Sequence, residues 1–170
     1  LKASKDSVNA LAALGNMLID IPGKVDEGIK LLKKARKNAP DWGYPVWRLG
    51  QATFFEKRNF DHGLKLLQEA TELDPNNVFM KRSVCEALAL VAQKWDEAKS
   101  ALEELVETDD RLTSRAMLAE FLLAAFGDVE AAYKEFQKVL VGEPQTAADL
   151  CARAFTKMYY FEDTMGAKAD

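Results

Sequence analysis

The sequence has few of the residues that build disulfide frameworks or compact metal sites. Its 170 residues include two cysteines, Cys85 and Cys151, and one histidine, His62. Such a count excludes a disulfide scaffold and a zinc site made from several Cys and His ligands. The nine glycines and five prolines are also few for the length, and they argue against a loop-rich or many-turned β fold.

Long uncharged runs are absent as well. The longest extends from Ser7 to Ile19, thirteen residues, whereas a membrane-spanning helix needs about 20. Two lysines precede this run as in a signal peptide, but Asn9 and Asn16 interrupt it and no small-residue cleavage site follows before Pro22. We therefore expect an amphipathic helix, no membrane insertion and a cytoplasmic location, with a periplasmic or membrane-tethered fragment as the alternative.

An excess of positive charge is lacking too. Lys and Arg total 23 against 27 Asp and Glu, which gives a formal net charge of −4. The basic run from Lys30 to Lys37 lies near the end of a predicted helix, where cations complement the helix dipole. Because an acidic chain is poorly suited to hold a polyanion by charge, we predict no nucleic-acid partner.

What the sequence does contain is a repeat of about 35 residues. Leu14-Gly15 recurs as Leu49-Gly50, Val84-Cys85 and Leu118-Ala119, at steps of 35, 35 and 34 residues. The same steps connect three further sets: Val25, Phe60, Trp95 and Val129; Gly28, Gly63, Ala98 and Ala132; Leu32, Leu67, Leu102 and Phe136. Repetition at this period is typical of stacked helical units. We predict four repeats, over about residues 7–40, 41–75, 76–110 and 111–144.

Each repeat carries two helical patterns. In the first repeat, one face of the first helix is formed at i, i+3, i+4 and i+7 by Leu11, Leu14, Gly15 and Leu18. The second helix is predicted to begin near Lys24 and to end before Pro40. A small residue recurs on both helices of every pair, as Gly15 and Gly28 do in the first repeat. Because two helices cross closely only where neither carries a bulky side chain, these positions predict the crossing point of each pair.

These residues resemble the tetratricopeptide repeat (TPR). The second repeat matches the motif of that family best, through Trp47, Leu49, Gly50, Phe54, Phe60, Gly63, Leu67, Ala70 and Pro75. The fourth supplies Leu118, Ala119, Gly127, Val129, Ala132, Phe136 and Pro144. The resemblance implies an all-α, right-handed α-solenoid of about four helix pairs plus a C-terminal capping helix. We predict a single TPR-like domain over residues 1–165 and, because chain termini are commonly poorly ordered, a frayed tail at 166–170.

One departure from the family leaves the register of the first helices open. The Leu-Gly pair lies one residue farther from the second helix than in the usual 34-residue repeat. Aligned on Leu-Gly, Trp47 lies one place after the buried aromatic of the family, whereas aligned on the second helix Trp47 is that buried residue. We adopt the Leu-Gly register and expect an extra residue in the turn between the helices.

The segment after the fourth repeat has its own helical signal. Thr146 followed by Asp149 predicts a capping-box start, and the pattern continues as a helix to about residue 161. Terminal units of a stacked array must cover its exposed end, so we expect a capping helix. The alternative is that its aromatic cluster at Tyr159, Tyr160 and Phe161 is a contact surface.

In TPR proteins, a second face of each first helix lines a concave groove that binds a peptide or helix. Carried over on the Leu-Gly register, the resemblance implies these partner-binding candidates: Asn16, Tyr44, Trp47, Gln51, Phe54, Phe79, Arg82, Glu86 and Glu120. The same face includes Asn9, Ala12, Ile19, Ala89, Thr113, Ala116 and Leu123. In the other register, Trp47 and Phe54 belong to the core. Of the residues that form a carboxylate clamp in some members, only Asn16 matches, so no such clamp is predicted.

A catalytic or metal-binding constellation is not evident in the sequence. His62 is interpreted as a surface residue beside Asp61, and Cys85 as a core thiol at a crossing position. No calcium-loop pattern or glycine-rich phosphate loop is present. We predict a non-enzymatic scaffold with no catalytic residue, cofactor or metal, whose partner is another protein. The alternatives are a secretion or assembly chaperone and an oligomerising structural subunit of a larger complex.

Overall fold

The structure is a computed structural model that describes residues 5–91 and 94–161. These residues form nine α-helices and no strand, which confirms the predicted all-α class. The helices are α1 Lys5–Ile19, α2 Val25–Asn38, α3 Gly43–Gln51, α4 Phe60–Leu73, α5 Val78–Ala89, α6 Trp95–Thr108, α7 Leu112–Phe121, α8 Val129–Val141 and α9 Ala147–Thr156. A π-helical turn extends three of them: Ala52–Glu56 after α3, Leu122–Phe126 after α7 and Lys157–Phe161 after α9. The predicted tail at 166–170 lies outside the described residues.

The helices group into two compact units, Leu1–Val91 and Ala92–Asp170. In the first unit α1 packs on α2 and α3 packs on α4, with α5 against α4. In the second unit α7 packs on α8 and contacts both α6 and α9. The single domain over residues 1–165 stays a prediction. Of the described helices, none has both the length and the apolar character needed to cross a bilayer.

Polar side chains define where four of the helices begin. Asn59, Asn77, Asp128 and Thr146 each accept a hydrogen bond from a backbone N–H in the first turn of the helix that follows. These caps satisfy donors that have no partner within the helix. The predicted capping box is confirmed, because Asp149 also accepts from the backbone N–H of Thr146 at 3.1 Å.

The buried carboxylate of Asp149 also fastens α9 to α7. Its Oδ1 accepts from the backbone N–H of Thr113, at the start of α7, at 3.1 Å. Its Oδ2 accepts from the backbone N–H of Gln145 at 3.2 Å. Burial raises the pKa of this carboxyl, but the hydrogen bonds from Thr113, Thr146 and Gln145 outweigh that effect and hold the pKa below its ordinary value.

Small residues bring the paired helices of the first two repeats into backbone contact, as predicted. A Cβ atom on Gly28 of α2 would lie 2.6 Å from the carbonyl oxygen of Gly15 on α1. A Cβ on Gly63 of α4 would lie 2.6 Å from the backbone nitrogen of Phe54. Ala98 and Ala132 occupy the equivalent positions in later repeats and are buried.

The buried face of α1 differs from the one predicted. It is formed by Val8, Ala12, Gly15 and Ile19, whereas the prediction placed Leu11, Leu14, Gly15 and Leu18 inside. The side chain of Leu14 is 49% exposed. The reason is that α2 meets α1 along Gly15 and Ile19, which places the stripe beside Leu14 toward solvent. Ala12 and Ile19, predicted for the groove, are therefore core residues.

The extra residue of the repeat lies inside the helix in two repeats. After α3, the N–H of Lys57 bonds to the carbonyl of Ala52, five residues back, at 3.1 Å. After α7, the N–H of Gly127 bonds to the carbonyl of Leu122 in the same way. A π-helical turn holds one residue more than an α-helical turn over the same length. The prediction that the inter-helix turn absorbs the residue is correct for the first repeat and wrong for these two.

The turn between paired helices uses a left-handed residue at one repeat position. Gly23, Arg58 and Gly127 are related by the repeat steps and have φ of 79°, 54° and 63°. The equivalent position of the third repeat lies outside the described residues. Glycine adopts this conformation without strain, whereas a residue with a Cβ incurs about 1–2 kcal/mol. Arg58 is therefore the strained member of the set.

Replacing Arg58 with glycine should stabilise the protein by about 0.5–1 kcal/mol, since relief of strain exceeds the added entropy of the unfolded chain. Urea denaturation of the full chain measures this. Arg58→Ala is the matched control, because it removes the side chain and keeps the Cβ, and it should give no gain. An equal gain from both substitutions would assign the effect to the arginine side chain instead of the backbone.

Gly63→Ala should destabilise the protein by about 1 kcal/mol or more. The new methyl group would meet the backbone of Phe54, which cannot move away as a flexible side chain could. That penalty exceeds the helix propensity of about 1 kcal/mol that alanine gains over glycine. Lys65→Ala on the exposed side of α4 is the control. A Gly63→Ala protein as stable as the wild type would show that this crossing is loose.

Candidate partner-binding face

Seven of the nine predicted partner-binding residues lie in the first unit on α1, α3 and α5 and remain at least partly accessible. We call this surface the first-helix face; its members are Asn16, Tyr44, Trp47, Gln51, Phe79, Arg82 and Glu86. On α3 and on α5 they follow i, i+3, i+7 spacing, so each triplet shares one side of its helix.

A buried hydroxyl joins the two triplets. Ser83 of α5 accepts hydrogen bonds from the indole Nε1–H of Trp47 at 2.9 Å and from the amide Nε2 of Gln51 at 3.3 Å. It donates its own proton to the carbonyl of Phe79 at 3.1 Å. One donor and two acceptors are the full capacity of a serine hydroxyl. The contact therefore holds Trp47 and Gln51 in fixed positions between α3 and α5.

Arg48 extends this network toward α1. Its Nη1 donates to the Oε1 of Gln51 at 2.6 Å, and its Nη2 lies 3.4 Å from the Oδ1 of Asp20, just beyond the end of α1. The guanidinium carbon is 5.8 Å from the centre of the Trp47 ring, within cation–π range. Arg48 therefore contacts Trp47 and Gln51, the same two side chains that Ser83 holds in position.

Two polar groups of the face make no hydrogen bond among the described residues. The amide of Asn16 and the hydroxyl of Tyr44 make no hydrogen bond there, although both residues are half-buried. The ring of Tyr44 stacks on Trp42 at 5.5 Å and tilts against Trp47 at 5.8 Å, so the aromatic group itself is positioned. Phe79 is 61% exposed on α5. The face thus combines positioned aromatics with polar groups open to a ligand.

One opposite-charge pair completes the face. Arg82 and Glu86 are one helical turn apart on α5 and both are half-buried. Partial burial raises the pKa of the Glu86 carboxyl, and the positive charge of Arg82 partly offsets this rise. A ligand at this surface would meet a cation and a carboxylate side by side.

Phe54 does not belong to this surface, and that prediction is wrong. Its side chain is fully buried and packs edge-on against Phe60 at 5.0 Å. The π-helical turn rotates the residues at the end of α3, and Phe54 consequently faces Gly63 of α4. Ala116 on α7, another predicted groove residue, is 7% exposed and packs in the second unit.

The position of Trp47 agrees in part with each of the two alternative registers. It packs partly against the core cluster of the first unit, as a buried aromatic would, yet it is only half-buried.

Glu120 belongs to the second unit, where partial burial raises the pKa of its carboxyl. The pKa of Tyr160 is also raised, mainly by burial of its hydroxyl and in addition by the negative charge of Glu120.

Two residues important to the geometry were not among the predicted ones. Ser83 gave a weak sequence signal, a lone hydroxyl on the buried stripe of α5 next to Arg82. Arg48 adjoins Trp47 in the sequence and contacts Gln51 within α3, but its link to Asp20 depends on how the end of α1 packs against α3. Neither contact follows from the repeat motif.

Comparison with known proteins identifies the fold. No protein-family model matches the sequence, and no curated protein matches it significantly. Solved structures do match. MamA of Desulfovibrio magneticus RS-1, from residue 41 to its end, has 15% identity and a TM-score of 0.70, over 98% of this chain and 92% of that one. A further MamA crystal structure has 21% identity and a TM-score of 0.68, over 94% and 85% of the two chains.

A thermophilic TPR protein of Thermus thermophilus, TTC0263, matches with a TM-score of 0.70 and 19% identity, over 91% of this chain and 84% of that one. The present chain has a TPR-type fold. The resemblance on which the sequence analysis relied is thus confirmed by structures of low sequence identity, and what those structures establish is the fold.

Ser83→Ala should destabilise the protein by about 1–2 kcal/mol, because the indole N–H of Trp47 and the amide of Gln51 would lose a buried acceptor. Thermal or urea denaturation measures the effect. Ser100→Ala, at an exposed serine of α6, should change stability by less than about 0.5 kcal/mol. Equal effects of the two substitutions would mean that the Ser83 contacts contribute no net stability.

Proposed function

We propose that this chain is a non-enzymatic scaffold that binds an extended peptide or a helix of another protein on the first-helix face. The observation that carries the proposal is the combination, on the first helices α1, α3 and α5, of fixed aromatics with the polar groups of Asn16 and Tyr44, which make no hydrogen bond among the described residues. Partner-binding hot spots are enriched in tryptophan, tyrosine and arginine, and all three are present here.

Positioning before binding favours this role. Trp47 and Gln51 are held by Ser83, and Tyr44 is held between two tryptophan rings. Side chains that are already ordered lose little conformational entropy when a ligand arrives, so more of the contact energy becomes affinity. Preorganisation of this kind supports recognition of a specific ligand over general adhesion.

The chemistry of the face fits a polypeptide ligand. The amide of Asn16 and the hydroxyl of Tyr44 can each donate to and accept from a peptide backbone. Phe79 offers an exposed apolar contact, while Arg82 and Glu86 can pair with charges of either sign. Peptide recognition commonly combines backbone hydrogen bonds with pockets for alternate side chains.

A second candidate is an assembly role, as a chaperone or an oligomerising subunit. The observation that favours it lies at the end of the second unit, where α9 and its π-helical turn expose large apolar side chains: Leu150, Phe155, Met158 and Tyr159. A mass that rises with protein concentration, and falls on Phe155→Ser and Tyr159→Ser substitution, would favour this role.

Peptides selected by display against the full chain provide the test of the first proposal. Phe79→Ala should weaken their binding by about 30-fold, which corresponds to the roughly 2 kcal/mol of a hot-spot residue. Tyr44→Phe, which removes only the free hydroxyl, should weaken it by about 3- to 10-fold, the value of one hydrogen bond. Fluorescence anisotropy measures both affinities.

The matched control is Val129→Ala, which removes an equally exposed apolar side chain from α8 and should leave binding unchanged. Circular dichroism establishes that each variant is folded. If the folded Phe79→Ala and Tyr44→Phe proteins bind the selected peptides as the wild type does, the first-helix face is not the binding site.

A further inference from the structure

The second unit contains a groove whose lining residues are not part of the first-helix face. It lies between α6 and α8, with side chains of α7 at its floor, and has a volume of about 1190 Å³. Leu118 of α7 and Leu122 of the π-helical turn after it form the floor, and Val141 at the end of α8 adds an apolar side chain that is 82% exposed. Arg115 of α7 also lines the groove and pairs with Glu135 at 3.3 Å. The volume exceeds the roughly 300–1000 Å³ typical of sites for small molecules, which indicates a larger occupant.

The two walls of this groove carry opposite charge. On the α6 wall, Glu103 and Glu107 face the groove one helical turn apart. Within the described part of the chain, neither carboxylate has a cationic partner or a hydrogen bond. Like charges at i, i+4 repel each other, so a cation brought between them by a ligand would stabilise the wall.

The opposite wall carries two lysines and one carboxylate, that of Glu135. Lys134 and Lys138 of α8 line it, again one turn apart, and both are more than half exposed. They pair with Glu130 at 2.7 Å and with Glu135 at 2.5 Å. The Lys134–Glu130 pair is exposed, and such pairs contribute about 0–1 kcal/mol, so a ligand carboxylate can replace Glu130 at little cost. Glu135 is only 14% exposed but also lies 3.3 Å from Arg115, so it keeps a cationic partner when Lys138 pairs with a ligand.

From this arrangement we infer that the α6–α8 groove binds an amphipathic helix of another protein, with basic residues along one edge of its apolar stripe and acidic residues along the other. The groove requires side chains in three directions, toward an apolar floor and toward two charged walls. An α-helix presents side chains all around its axis, whereas an extended strand presents them on only two opposite faces. Charges at i, i+4 on the ligand would repeat at about 6 Å, the spacing on each wall.

Two designed 18-residue helical peptides test the inference against the full chain. Both have a leucine stripe; one has lysines on one edge and glutamates on the other, and the second has glutamates on both edges. The Lys/Glu peptide should bind at least about 10-fold tighter to the wild type, because glutamates on both edges repel Glu103 and Glu107. On a Glu103→Lys, Glu107→Lys protein the order of affinities should reverse.

A charge placed inside the groove, with a matched control outside it, tests where the peptide binds. Val141→Glu, which places a charge in the groove, should weaken the Lys/Glu peptide by at least about 10-fold. Val129→Glu introduces the same change at an exposed position of α8 outside the groove and should have no effect. Peptides selected for the first-helix face should not compete, which separates failure of this inference from failure of the proposed function.

Several outcomes would overturn the inference. They are the absence of saturable binding up to about 1 mM, equal affinity for the two peptides, and insensitivity to Val141→Glu in a folded protein. Binding that appears only after deletion of residues 162–170 would make the chain's own C-terminal segment the occupant. A concentration-dependent dimer that the peptide dissociates would make a second copy the occupant. Either result contradicts a partner helix.

Discussion

The helix pairs of the first unit depend on backbone-to-backbone contact at their crossing points. Where Gly28 meets the carbonyl of Gly15, and where Gly63 meets the backbone of Phe54, there is no room for a single added carbon atom. This closeness fixes how far apart the paired helices lie and how each is rotated about its own axis. Side chains farther along, such as the fully buried Leu32 and Leu67, then fill the remaining space at the density of a protein interior. The surfaces of the first unit inherit their geometry from that contact.

The sequence predicted the fold well because the repeat exposes its own geometry. Pro40 is a local signal for the end of a helix, and α2 ends just before it. The small residues Gly28 and Gly63 are local signals for helix crossings, and the structure has crossings at both. The capping box at Thr146 is equally local and was equally predictable. The buried stripe of α1 was misassigned for a different reason. Its apolar residues occupy more than one side, and only the position of α2 decides that Ala12 is inside and Leu14 outside.

The candidate site was less predictable, because it depends on rotation about the helix axis and on contacts between repeats. Trp47 and Gln51 were identified through the family resemblance carried over on the Leu-Gly register, and they do converge on Ser83. Ser83 itself could not be found, since its role requires knowing that α3 and α5 approach within hydrogen-bonding distance at that level. Phe54 was misplaced because nothing in the sequence indicates whether an extra residue enters the helix or the turn after it. Charge patterning of the α6–α8 groove likewise depends on which faces of α6 and α8 are turned toward each other.

The π-helical turns after α3 and α7 have a consequence for how such proteins diverge. Each residue along a helix turns the next side chain by about 100°, so inserting one residue within a helix carries everything after it to a different side. At Phe54 the added residue turns the aromatic side chain from the ligand-facing side of the helix into the interior. The partner helix and its crossing at Gly63 remain where they were. A change of length by one residue can thus redistribute a repeat between recognition and stability without altering its architecture.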